Sequence, residues 1–150
     1  MKRRFSINVV IALLALLAML PYPAKAMSAF AAGIPNNVFT GGITYGFAAN
    51  RSTRDDAEAA ALLACRDKSK APPSTIALCK ILAHFDNQCL AVFWDPAVGE
   101  PGFGWTVAAT AGAASAQALQ SCQQTAGLGR AAYCVESDSQ CDTKNAPVQQ

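Results

Sequence analysis

Histidine, charge and closely spaced cysteines are all scarce in this chain. Of 150 residues one is histidine, His84, and only 15% are charged. A nucleophile–base–acid triad therefore has one candidate base of the usual kind. No two of the six cysteines stand closer than seven positions. That spacing lacks the C-x₂₋₄-C pairs of zinc sites and the C-x-x-C of thiol redox centres. No glycine-rich phosphate loop and no paired-carboxylate motif occurs. The sequence thus predicts no metal, no cofactor and no catalytic constellation. The N-terminal apolar run, Val9–Leu20, is 12 residues long, short of the roughly 20 that a membrane-spanning helix needs.

What surrounds that run gives it a meaning. Lys2, Arg3 and Arg4 precede it, Pro21 and Pro23 end it, and Ala24-Lys25-Ala26 follows as a small-x-small cleavage pattern. Residues 1–26 read as a secretory signal peptide. The signal holds four of the 12 basic residues and none of the ten acidic ones, so the mature part carries eight against ten, a net charge of −2. It offers no cationic footprint for nucleic acid and no polybasic patch for anionic lipid. The expected location is the periplasm or the exterior of a bacterial cell, with no membrane attachment after cleavage. Residues 27–37 (MSAFAAGIPNN) read as a linker, with Gly33, Pro35 and two Asn as breakers. Residues 142–150 read as a flexible tail. One small domain, 38–141, remains.

The cysteines are what that domain has in plenty. Cys65, Cys79, Cys89, Cys122, Cys134 and Cys141 all lie in the mature part, and an even count in a short exported chain implies a disulfide framework. The chain is also written twice. TRDDAEAAALLAC (53–65) and TAGAASAQALQSC (110–122) align without a gap, sharing Thr, three Ala, Leu and Cys. Upstream, Gly46-Phe47 meets Gly104-Trp105; downstream, Cys79 meets Cys134 and DNQC (86–89) meets DSQC (138–141). Low-complexity alanine alone does not place three cysteines in order, so this is a duplicated supersecondary unit, with repeats at about 38–88 and 89–141.

Each repeat reads as β-β-α-β. VFTGGITYGFAAN is extended and broken by Gly41-Gly42 as a hairpin turn; CLAVFW and FGWTVAA are the matching strands of the second copy. Ser52 or Thr53 caps the first helix, and Asp55, Asp56 and Glu58 suit the positive end of its dipole. The second helix lacks those acids. Leu62 with Cys65, and Leu119 with Cys122, mark the inward faces. The predicted fold is α+β: a mostly antiparallel sheet with two helices, held by disulfides. The pseudo-symmetry suggests Cys65–Cys79 and Cys122–Cys134, each stapling a helix to the next strand, and Cys89–Cys141 across the repeat.

Tyr45-Gly-Phe47, Ser52–Cys65 (STRDDAEAAALLAC), Cys79–Leu82 (CKIL), Phe85–Cys89 (FDNQC), Phe103–Trp105 (FGW) and the second Ala-Leu-x-x-Cys helix together resemble the bacterial domain-of-unknown-function family 4189. The resemblance runs from about Val38 to Cys141. It implies an exported protein with this twofold architecture, and it brings no catalytic residues with it. The second copy departs from the charged helix start, reading TAGAASAQAL.

The remaining chemistry is thin. His84 reads as a half-exposed strand residue sharing a face with Leu82 and Lys80. Asp86 and Asp138 read as matching turn residues, where Asp bonds its own backbone. Among the aromatics, Phe103 and Trp105 share one strand face. Phe93 and Trp94 are adjacent, so one of the two points away from the core. Trp94, Trp105 and Phe103 are the candidate partner-binding residues. These features predict a non-catalytic exported module that binds an envelope or extracellular protein or glycan, with an inhibitor or immunity protein for a secreted toxin as one form. A cell-wall hydrolase and a purely structural envelope protein are the alternatives.

Overall fold

The computed structural model describes residues 27–67 and 71–142. The predicted signal peptide, and all of the predicted tail but Asp142, lie outside the described residues. Six strands form two three-stranded antiparallel sheets rather than one. The first contains β1 (Met27–Gly33), β2 (Thr44–Arg51) and β3 (Lys80–Phe85); the second contains β4 (Cys89–Trp94), β5 (Phe103–Ala108) and β6 (Val135–Cys141). In each sheet the first strand of the unit is central, in orders β2-β1-β3 and β5-β4-β6. Short helices α1 (Val38–Gly41) and α3 (Pro73–Ile76) and the long helices α2 (Arg54–Asp67) and α4 (Ala111–Ala126) complete the main elements. The class is α+β, as expected, with four stacked layers: α2, first sheet, second sheet, α4.

The repeat begins earlier than the sequence suggested. Residues 27–33 are not linker but the buried central strand of the first sheet. Alanine and glycine have weak β propensity, which hides the strand; small side chains are nevertheless what its two covered faces require. Ala29 and Ala31 face α2, while Phe30 and Ala32 face the second sheet. Nor is Gly41-Gly42 a hairpin turn. Val38–Gly41 forms one helical turn, and Gly42, at φ 62°, leads into β2.

Glycine sets how closely the outer layers approach. A Cβ on Gly46 would overlap the backbone of α2 at Ala64 and Cys65; one on Gly104 would overlap α4 at Ala118, Ser121 and Cys122. Each helix backbone therefore lies directly on its strand. Small residues one turn apart make this possible: Ala57, Ala61 and Cys65 in α2, Ala114, Ala118 and Cys122 in α4. Leu62 and Leu119 sit on the flanks of these faces, partly buried. Thr53 caps α2, its Oγ1 accepting from the Asp56 N–H at 3.1 Å. Thr110 caps α4 likewise, accepting from Ala113 N–H at 3.2 Å, so the second helix start is defined without acids.

The three disulfides are Cys65–Cys79, Cys89–Cys141 and Cys122–Cys134. Two join a helix to the segment before the next strand. Cys89–Cys141 does not cross between the repeats. It joins directly opposed residues of β4 and β6, inside the second unit.

Candidate functional site

Alternation along the strands sends one set of side chains into the space between the sheets. Phe30, Phe85, Leu90, Val92 and Phe103 fill most of it, with Phe47 and Trp105 packed alongside. Trp105 packs against Phe30 with ring centroids 4.9 Å apart and the rings tilted by 39°. At one end the filling stops. There the connection between β1 and β2 meets the connection between β4 and β5, and a cavity of about 660 Å³ opens between them. Its walls include Phe39, Tyr45, Phe47, Trp94, Phe103 and Asp138.

The adjacent aromatics divide as alternation requires. Phe93 is 8% exposed and faces α4; Trp94 is 40% exposed and stands at the cavity on the inter-sheet face. Of the three candidate binding residues, Phe103 is buried in the core and lines the cavity, Trp105 is partly buried in the core, and Trp94 is exposed. Phe39 and Val98, also on the lining, are more exposed still.

A β-bulge supplies the polar part of the wall. Opposite the Val92/Phe93 step of β4, β6 carries one extra residue, Ser137, between Asp138 and Glu136. Bulges re-aim side chains, and here the Ser137 hydroxyl lies 2.5 Å from Tyr45 Oη in the other sheet. Burial pushes the Tyr45 phenol above its ordinary value; the Ser137 hydrogen bond opposes this and the Asp138 charge adds to it. Tyr45 is thus a neutral hydroxyl at physiological pH. Asp138 is not a turn residue matching Asp86, as expected from sequence. It lies within β6 opposite Val92, on the inter-sheet face. Asp86 does lie in the turn between β3 and β4.

The loop over the cavity is pinned from behind. Arg130 donates to both carboxylate oxygens of Asp95, at 2.7 and 2.8 Å, and the Asp95 side chain has no exposed surface. These bonds hold the Asp95 carboxyl below the usual range against the opposing effect of burial. Ala97 N–H adds a bond to Asp95 at 3.0 Å, and Arg130 lies over the Tyr133 ring. Gly99, at φ 81°, passes close to the Phe39 carbonyl, so the two connections touch.

His84 sits elsewhere. A second bulge, at Leu82, breaks the alternation of β3, so His84 faces α2 and does not share a face with Lys80. Its Nε2 is 2.7 Å from Glu58 Oε1, and Arg54 Nη2 is 3.0 Å from its Nδ1. His84 and Asp138 face opposite sides of different sheets, and the structure does not bring them into one site. Sequence reasoning missed Phe39 as a wall residue; the Tyr-Gly-Phe alternation put Tyr45 on one strand face with Phe47, whereas its bond to Ser137 depends on a bulge.

Among the described residues no group of three or more His, Cys, Asp or Glu could hold a metal ion, and no helix is long and apolar enough to cross a membrane. No curated protein and no solved structure matches the chain. A family model, Domain of unknown function (DUF4189), matches residues 29–141. That span begins inside β1 and ends with β6, taking in both units, and on it the chain belongs to this family.

Proposed function

We propose that this is an exported, disulfide-held binding module that takes its partner, from the cell envelope or the cell exterior, at the cavity between the two sheets. The observation that carries this reading is Trp94, 40% exposed at the mouth of a cavity of about 660 Å³. Large aromatics bury area wherever they find a partner, and binding pockets typically span about 300–1,000 Å³. Three disulfides suit an oxidising compartment and keep the scaffold rigid around the cavity. An inhibitor of a secreted toxin is one form such a module takes.

The test is capture from envelope extract by the immobilised mature chain, bridges intact, beside a Trp94→Ala variant with unchanged far-UV spectrum. The expected result is a discrete component whose recovery falls about tenfold or more in the variant. Equal recovery by both proteins would remove the cavity from the binding function.

A further inference from the structure

The two units differ at the cavity in a way that points to what it holds. By strand register, Ser137 and Asp138 in β6 correspond to Leu82 and Ala83 in β3. Both pairs sit at a bulge, opposite Phe30 in one unit and Val92 in the other. Leu82 and Ala83 pack against the inter-sheet core. The fold therefore accepts an apolar pair here, and the second unit carries a hydroxyl and a carboxylate instead. Register likewise matches Ala32, which is buried, with exposed Trp94. An aromatic platform and a carboxylate on the cavity lining thus stand where the first unit has core residues.

We propose that the cavity binds a saccharide, with a pyranose ring stacked on Trp94 and its hydroxyls bonded to Asp138 and the Tyr45 hydroxyl. This rests on the reading above that the cavity is the binding site. A pyranose has an apolar C–H face and a rim of hydroxyls. The C–H face packs on the electron-rich face of an indole, and the rim needs acceptors close by. Trp94 and Asp138 provide both from adjacent strands: Asp138 lies opposite Val92, two residues before Trp94, on the same face. Diagonal neighbours of this kind stand roughly 7–8 Å apart, a spacing one ring can bridge. A carboxylate offers about four acceptor positions, more than one partner fills, and Tyr45 keeps acceptor capacity beyond its bond to Ser137.

Other ligands fit the wall less well. A wholly apolar ligand would cover the polar atoms that Tyr45 and Asp138 bring to the lining without offering them hydrogen bonds, which is costly. An anionic ligand would meet the carboxylates of Asp138 and Glu100 on the lining. Asp95 adds nothing for a ligand, both oxygens being taken by Arg130. An extended peptide gains affinity by pairing with a sheet edge, whereas these walls are strand faces and loop tips.

The mature, oxidised protein labelled with ¹⁵N would be titrated with an N-acetylglucosamine tetramer and with maltotetraose. The chain has two tryptophans, so each indole N–H gives its own signal. A binding saccharide should shift the Trp94 indole and leave that of Trp105 nearly unmoved. Trp94→Ala and Asp138→Asn should each weaken binding about tenfold or more, with Trp94→Phe recovering part of the loss. No shift from either sugar at millimolar concentration would overturn the proposal, as would binding that ignores both Trp94→Ala and Asp138→Asn. If no sugar binds yet capture from extract still depends on Trp94, the saccharide falls and the cavity reading stands. If neither occurs, both fall.

Discussion

The two β-β-α-β units are one design carried out twice, and what they share separates cleanly from what they do not. Both place a glycine under the helix backbone, at Gly46 and Gly104. Both bury Ala, Ala and Cys along the helix face, tie the helix to the next segment with a disulfide, and bulge the last strand at the same step. The differences lie elsewhere. The second unit adds the Cys89–Cys141 bridge. It pins a loop with Asp95 and Arg130, and it turns Ser137 and Asp138 toward the inter-sheet space. The first instead carries the Arg54–Glu58–His84 cluster on its outer face. The shared features are those that layer packing demands. Apart from the Cys89–Cys141 bridge, which lies against α4, the unshared ones gather around the cavity or on the surface, where the two copies were at liberty to diverge.

The strongest way to break this comparison is to give either glycine a side chain. Gly46→Val and Gly104→Val each push a branched side chain into helix backbone, which cannot move away as the tip of a side chain could. Both should fail to give oxidised, folded protein, or lose about 3 kcal/mol or more in urea unfolding. If one unit tolerated the change and the other did not, helix-on-strand contact would not be the common principle. Removing bridges sharpens the comparison further. On the chain-entropy account, the 52-residue separation of Cys89–Cys141 corresponds to about 4 kcal/mol, and the separations of 14 and 12 to about 3 each. Paired Cys→Ala variants should therefore rank in that order. A Cys89/Cys141 variant as stable as the parent would mean that the second unit, like the first, needs no cross-strand bridge.

Much of this architecture was legible in the sequence because its cause is local. The cap of the first helix, the Ala-rich faces ending in Cys65 and Cys122, and the glycine–aromatic pairs are read from spacing alone. What was hidden depends on contacts far along the chain. Residues 27–33 pass for a linker because Ala and Gly reveal strand only when two covering layers demand small residues. DNQC and DSQC look equivalent, yet the first turns the chain between β3 and β4 while the second ends β6. The bulge in β3 shifts that strand out of simple alternation, which put His84 on the wrong face, and the match of DNQC with DSQC put Asp138 in a turn. At the site, Trp94 was legible from its neighbour Phe93. Its convergence with Tyr45 and Asp138 was not, because that requires knowing that the strands divide into two facing sheets.

The smallest expected effects come from the ion pairs that the units do not share. Asp95 is inaccessible to solvent and bonded to Arg130 through both oxygens, with its carboxyl held below the usual range. Glu58 is also held low, by His84 first and Arg54 second, but its side chain and those around it remain partly open to water. A carboxyl depressed by folding adds stability that is present in full above its unfolded value of about 4 and is lost as pH falls through its folded value. Exposed pairs contribute little of this, whereas breaking a buried one leaves a charge without its partner. Arg130→Gln should thus lower the urea midpoint at pH 7 and flatten its fall between pH 5 and pH 3. His84→Gln should change both much less. A larger loss in the His84 variant would place the anchoring polar contact in the first unit, and the loop over the cavity would then rest on its own backbone bonds, such as Asp95 N–H to the Gly102 carbonyl at 2.8 Å.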